Sequence, residues 1–145
     1  MNFRNRREGI FVICNILIPL VIGAYIYVCW DSDSYFGNWI RSFLVVPEVG
    51  MDTDFMKFMR NWGCDFLWAY ALFFSLYSST KNVIASIRNS VTCSILVESL
   101  QLIQIDYVKC GTFDILDILI EVIAVCIGAA FLGWHHHIND KERRN

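Results

Sequence analysis

The stretch ESLQLIQIDYVKCGTFDILDILIEVIAVCIGAAFLG, Glu98 to Gly133, decides the fold. It reads as the end of one membrane helix, a short turn and a complete second membrane helix. Five acidic residues, Glu98, Asp106, Asp114, Asp117 and Glu121, sit in or beside sequence apolar enough for lipid. A charged side chain at the centre of a membrane helix costs about 2.5–3.5 kcal/mol even on lenient insertion scales. Several of them together require a compensating environment. These side chains are therefore expected to face the bundle interior and form a polar site.

Composition supports that setting. The chain has 145 residues, 56% of them hydrophobic, and the apolar residues come in long runs. That excess points to an integral membrane protein of a single domain, 1–145. The net charge of −2 and the lack of a basic stripe with interleaved aromatics argue against nucleic acid as a partner. Of six cysteines, Cys14, Cys29, Cys93 and Cys126 lie within or at the ends of apolar runs and read as small packing residues. No CxxC spacing supports zinc or thiol redox chemistry. Cys64 and Cys110 would fall near the same membrane face, where a bridge is open but not required.

Outward from the opening stretch, four membrane helices are expected, over about 10–30, 64–79, 89–105 and 113–134. The first follows Arg4, Arg6 and Arg7. It is long enough to cross ~30 Å of hydrocarbon, and no small-residue cleavage site follows it, so it is retained rather than a signal peptide. Pro19 is a potential kink. Between Asp31 and Asn61, aromatic residues are spread among charges, and Trp39, Phe43 and Val46 keep helical spacing. A short helix lying in the interface is expected there. A further helical stretch is expected to start near Asp52, with Asp52, Thr53 or Asp54 as its cap. Lys81 and Arg88 are assigned to the second-to-third turn, and Asp140 to Asn145 to a frayed tail. The fold class is thus all-α and polytopic.

Four spans place both termini and the second-to-third turn on one side. That side carries Arg4, Arg6, Arg7, Lys81, Arg88, Lys141, Arg143 and Arg144, against Arg41, Lys57, Arg60 and Lys109 on the other. The positive-inside rule then puts both termini in the cytoplasm.

Helical spacing groups the polar residues. Glu98 and Gln101 share a face, and so do Asp114, Asp117 and Glu121. At 1.5 Å of rise per residue, Glu98 lies roughly 12 Å from Asp106 and Gln101 roughly 7 Å, while Asp117 lies roughly 9 Å from Gly111 and Glu121 roughly 15 Å. The two helices match in level and should face each other across their short turn. Asp65 enters from the outer end of the second helix, four residues after Asn61. Asp65, Glu98, Gln101, Asp114, Asp117 and Glu121 are the candidate ligand-binding residues of an outward-facing pocket. Crowded carboxylates cannot all be ionised without a cation. Some are protonated, or Arg60, Lys109 or Arg88 neutralises them, or a hard divalent cation does.

Plainer roles compete. Asp114 would suit the positive end of a helix dipole. Glu98 and Gln101 would serve as a hydrogen-bond clamp between helices. His135, His136 and His137 point in different directions on a helix, which suits an interfacial polar cap better than a shared metal site.

The pattern Glu98-x-x-Gln101, a turn, Asp114-x-x-Asp117-Ile-Leu and a glycine-bearing apolar run to Gly128 and Gly133 resembles the VanZ-like membrane proteins. Asn61-Trp62-x-x-Asp65-Phe-x-Trp68 looks like the polar start of that family's preceding helix. The resemblance covers about Asn61 to Gly133. It departs where the family has an Arg before the Asp helix (Lys109 or Gly111-Thr112 here) and an Asn soon after D-I-L (Glu121 here). It implies a bacterial cell-envelope protein, in a family whose founding member is associated with resistance to a glycopeptide antibiotic. The expected partners are membrane lipids and a lipid-linked cell-wall precursor or glycopeptide, bound without turnover. The alternative is a membrane-embedded enzyme acting on a lipid-linked substrate, with Glu98 or Asp117 as acid, base or metal ligand.

Overall fold

The computed structural model describes residues 3–30, 42–43, 53–101 and 114–142. Helix α1 spans Phe3–Trp30, α2 Asp54–Phe58, α3 Cys64–Thr80, α4 Val83–Gln101 and α5 Ile115–Glu142, with a π-helical turn, Met59–Gly63, joining α2 to α3. No strand occurs among the described residues. Among the described residues, three helices are long and apolar enough to cross a membrane, over Arg6–Cys29, Val83–Leu100 and Ile115–Glu142. Helix α3 has 17 residues, about 25 Å at helical rise, which is short of a ~30 Å hydrocarbon core. It continues without a break from α2 and the π turn, so the helical run from Asp54 to Thr80 reaches roughly 40 Å.

Helix α3 is the hub. It packs against α1, α4 and α5, and α4 packs in turn against α5. Its core positions are apolar or aromatic on every side: Ala69, Phe73 and Phe74 are fully buried, with Val125 and Leu132 of α5 and Val12 of α1 around them. The Phe74 ring takes Phe11 edge-on at 5.9 Å and Tyr70 at 5.1 Å. The outer faces are apolar too: Ile13, Leu17 and Val21 of α1, Ile84 and Leu96 of α4, and Leu119, Ile123 and Ile127 of α5 are exposed. A belt of that extent does not suit water and does suit hydrocarbon.

The helix ends explain where the observed boundaries differ from those read in the sequence. Helix α1 begins at Phe3 rather than Ile10 and runs on through Pro19. Helix α4 begins at Val83, six residues before the expected start at Asn89. Lys81 takes the left-handed conformation (φ 52°), its N–H returning to the Tyr77 carbonyl at 2.9 Å, and Asn82 then caps α4 by accepting the Ala85 N–H at 3.1 Å. Two residues make the turn. Arg88 therefore lies in the helix, exposed, where its long stem lets the charge reach polar surroundings. Helix α5 runs eight residues past Trp134 to Glu142, through the three histidines. Thr53 caps α2 by accepting the Met56 N–H at 3.3 Å, one of the three caps expected. Of the interfacial segment, only Ser42 and Phe43 are described, as a turn; Trp39 and Val46 lie outside the described residues, as do Asp106 and residues 102–105, the expected end of the third span.

Candidate functional site

Four carboxylates from three helices meet at one end of the bundle. Antiparallel packing dictates this: α3 starts, α4 ends and α5 starts there. Asp65 stands on the first turn of α3, placed by the π turn before it. That turn also separates Asp65, half-buried, from Asn61, which is exposed and accepts the Arg60 Nε–H at 3.1 Å. Glu98 is 3% exposed near the end of α4, and Glu121 is 1% exposed on α5. Asp117, one turn before Glu121 on the same face, is half-buried. Asp65 lies within electrostatic reach of Asp117, Glu121 and Glu98, and Glu121 within reach of Glu98 and Asp117.

The six residues expected from sequence do not all share this place. Asp65, Glu98, Asp117 and Glu121 converge. Asp114 does something else: its Oδ1 accepts the Leu116 N–H at 2.9 Å and its carbonyl accepts the Asp117 N–H at 3.2 Å. It is the N-cap of α5, where a carboxylate also meets the positive end of the helix dipole. Gln101 is the last residue of α4, and its side chain lies outside the described residues, as do Lys109 and Cys110. Cys64 Sγ sits 3.9 Å from the Gly23 carbonyl of α1.

Among the described residues, no three His, Cys, Asp or Glu side chains gather closely enough to hold a metal ion. The four carboxylates come from α3, α4 and α5 and are within electrostatic reach of one another. Two of the sequence-named bases are elsewhere: Arg60 bonds to Asn61, and Arg88 is exposed on α4. Glu121 is the most enclosed member. Ser94 of α4 faces it within hydrogen-bonding reach, and one Glu121 oxygen (Oε2) is buried without a partner. Buried polar atoms in that condition are uncommon and costly.

Sequence reasoning missed two features. The first is the serine run that leads to Glu98, whose signal is a repeat of four: Ser86, Ser90, Ser94, Glu98. The second is a polar cluster at the opposite end of the bundle. Tyr77 donates its O–H to Glu8 at 3.1 Å and lies 3.5 Å from His136 Nε2. His135 stacks on Phe11 with ring centroids 3.8 Å apart and meets Asn139 at 3.3 Å. Lys81 lies over the Tyr77 ring at 5.5 Å, beside an open cavity of about 510 Å³ lined by Glu8, Gly9, Tyr77 and Lys81. The histidines thus do point in different directions, with His137 exposed. His135 and His136 join helices rather than simply capping one. No family model, curated protein or solved structure matches the chain.

Proposed function

We propose that this is a multi-pass membrane protein of the bacterial cell envelope, VanZ-like in type, that binds the positively charged group of an amphiphile in a carboxylate-lined groove between α3, α4 and α5. The observation that carries the reading is Glu121. It is buried to 1% exposure with one oxygen unmet, and Asp65, Glu98 and Asp117 share its surroundings. An assembly of that charge calls for a cation. No three of the described carboxylates gather closely enough for a metal ion, which favours an ammonium group on an organic molecule over a single point ion. Exposed apolar faces on α4 and α5 beside the groove would leave the ligand's tail in lipid.

In this reading α3 is the second of four spans, helped across by the helical run before it. Both termini are cytoplasmic, and the groove opens to the outer face. The resemblance of Glu98-x-x-Gln101 and Asp114-x-x-Asp117-Ile-Leu to the VanZ-like pattern narrows the amphiphile to an amine-bearing lipid headgroup, cell-wall precursor or glycopeptide-type antibiotic. Asp65, Glu98, Asp117 and Glu121 make the contact, and Asp114 holds α5 in place.

The test is native mass spectrometry of the protein released from gentle detergent. An amine-bearing adduct on the wild type, lost in Glu121→Gln and Asp117→Asn while both variants stay folded, is the expected result. Identical spectra for wild type and variants would rule the reading out.

A further inference from the structure

At the end of the bundle away from the carboxylates, an open cavity of about 510 Å³ is lined by Glu8, Gly9, Tyr77 and Lys81. Its volume is within the range of small-molecule sites. Glu8 and Gly9 come from the first turns of α1, Tyr77 from the last turn of α3, and Lys81 from the left-handed turn that ends α3. Glu8 and Lys81 carry opposite charges, yet they do not pair with each other; among the described residues the ion pair formed is Lys57 with Asp54. Glu8 instead accepts the Tyr77 O–H at 3.1 Å, and Lys81 lies over the Tyr77 ring, 5.5 Å from its centroid. Tyr77 is 4% exposed, a fixed wall with one charge at its hydroxyl and the other at its ring. Both charges keep unused capacity, because a carboxylate has a second acceptor oxygen and an ammonium has three donors.

The surroundings suit a membrane surface. Arg6, Arg7 and Lys81 are exposed at this end of the bundle, and so is Trp134 of α5, a residue type that favours the interface. From Gly9 the same side of α1 continues through Ile13 and Leu17, four residues apart at each step and both exposed. That gives the cavity an apolar track leading toward the middle of the bilayer. A Cβ at Gly9 would meet nothing within 4 Å, so the space beside the track is open.

We propose that this cavity binds a zwitterionic headgroup that carries a phosphate and an ammonium, as in phosphatidylethanolamine. The ammonium lies against Glu8 and the phosphate against Lys81, and an acyl chain follows Ile13 and Leu17. The pair of charges selects the class. A plain anion would be repelled by Glu8 and a plain cation by Lys81, whereas a zwitterion meets each with a charge-assisted hydrogen bond. Tyr77 keeps its bond to Glu8 and holds the carboxylate in place. The same headgroup also exists free of its chains, and the apolar track favours the lipid. This site lies at the opposite end of the bundle from the carboxylate groove and does not rest on the groove's reading.

The experiment titrates full-length protein in maltoside detergent with short-chain phosphatidylethanolamine, read by calorimetry. Phosphatidylglycerol of the same chains keeps the phosphate and lacks the ammonium; glycerophosphoethanolamine keeps the headgroup and lacks the chains. The wild type is expected to prefer phosphatidylethanolamine to phosphatidylglycerol roughly tenfold, the worth of one charge-assisted hydrogen bond. Glu8→Gln can still accept from Tyr77 and should erase that preference. Lys81→Asn suits the left-handed turn and should weaken both lipids roughly tenfold. Gly9→Leu fills the cavity with both charges in place and should also weaken both. Tighter binding of the lipid than of glycerophosphoethanolamine assigns the site to the membrane, and equal binding assigns it to the free headgroup; either result upholds the chemistry. Equal wild-type affinity for the two lipids, or wild-type binding in the folded Glu8→Gln and Gly9→Leu variants, overturns the proposal. Glu121→Gln should bind as the wild type does. Loss of binding there would place the lipid in the carboxylate groove and overturn this site alone, while failure of the groove's own test leaves this site standing.

Discussion

Replacing Gly128 with alanine tests the contact that fixes α5, and with it Glu121, against α3. A Cβ at Gly128 would stand 2.9 Å from Cδ1 of Phe73 and 3.5 Å from both Phe74 and Tyr70. The nearest atom belongs to a rigid ring. Phe73 is fully buried and held edge-on to Phe74 at 5.2 Å, so it has no room to swing away. Forcing one methyl into such packing costs about 1–3 kcal/mol. Alanine also gains about 0.8–1 kcal/mol over glycine in a helix interior, which would hide part of that cost. Gly133 supplies the control: it lies on the same helix, and a Cβ there meets nothing within 4 Å. The propensity gain is common to both substitutions and cancels in their difference. Gly128→Ala should therefore be less stable than Gly133→Ala by about 1–3 kcal/mol, measured by unfolding in mixed detergent with helical circular dichroism as the readout. Equal stabilities would mean that α3 and α5 do not approach at Gly128, and the placement of Glu121 against α3 would lose its support.

Two further outcomes follow from contacts at opposite ends of the bundle. Tyr77→Phe should cost about 0.6–1.7 kcal/mol, the range for hydrogen bonds between membrane helices, and a double-mutant cycle with Glu8→Ala should show that the two losses do not add. Additive losses would mean that the 3.1 Å bond contributes nothing. Asp114→Ala should destabilise the protein by about 1 kcal/mol through loss of the α5 cap and leave the bound amphiphile in place, whereas Asp117→Asn should release it. Release by Asp114→Ala at undiminished stability would return Asp114 to the binding groove.

The helices were legible because apolar runs of membrane length have few other uses. Their ends were less so. Lys81 and Arg88 look like loop residues by charge, yet only Lys81 turns the chain; Arg88 can sit on a helix because its charge reaches outward. The signal for the true start was Asn82, a capping residue directly before the apolar run. The histidines looked like an end because three polar residues follow Trp134, and their partners, Phe11 and Tyr77, come from distant positions that spacing within one helix does not reveal. Within the site, the match in level between Glu98 and Glu121 was readable from helical rise and a short connection. The role of Asp114 needed the backbone, since position alone fits both a cap and a ligand contact. Ser90 was hidden for another reason: serine in a membrane helix ordinarily bonds back to its own helix, and only the structure shows that Ser90 does not.

The central claim is that the carboxylate groove recognises a positive charge. The direct measurement is the affinity of the nanodisc-embedded protein for two amphiphiles with the same tail, one ending in a primary ammonium and the other in a hydroxyl. A hydrogen bond to a charged group is worth about 1.5–3 kcal/mol, so the ammonium form should bind roughly ten- to a hundredfold more tightly, and Glu121→Gln should remove most of that advantage. Equal affinity for the two headgroups, or an advantage that survives in Glu121→Gln, Glu98→Gln and Asp117→Asn alike, would contradict the account.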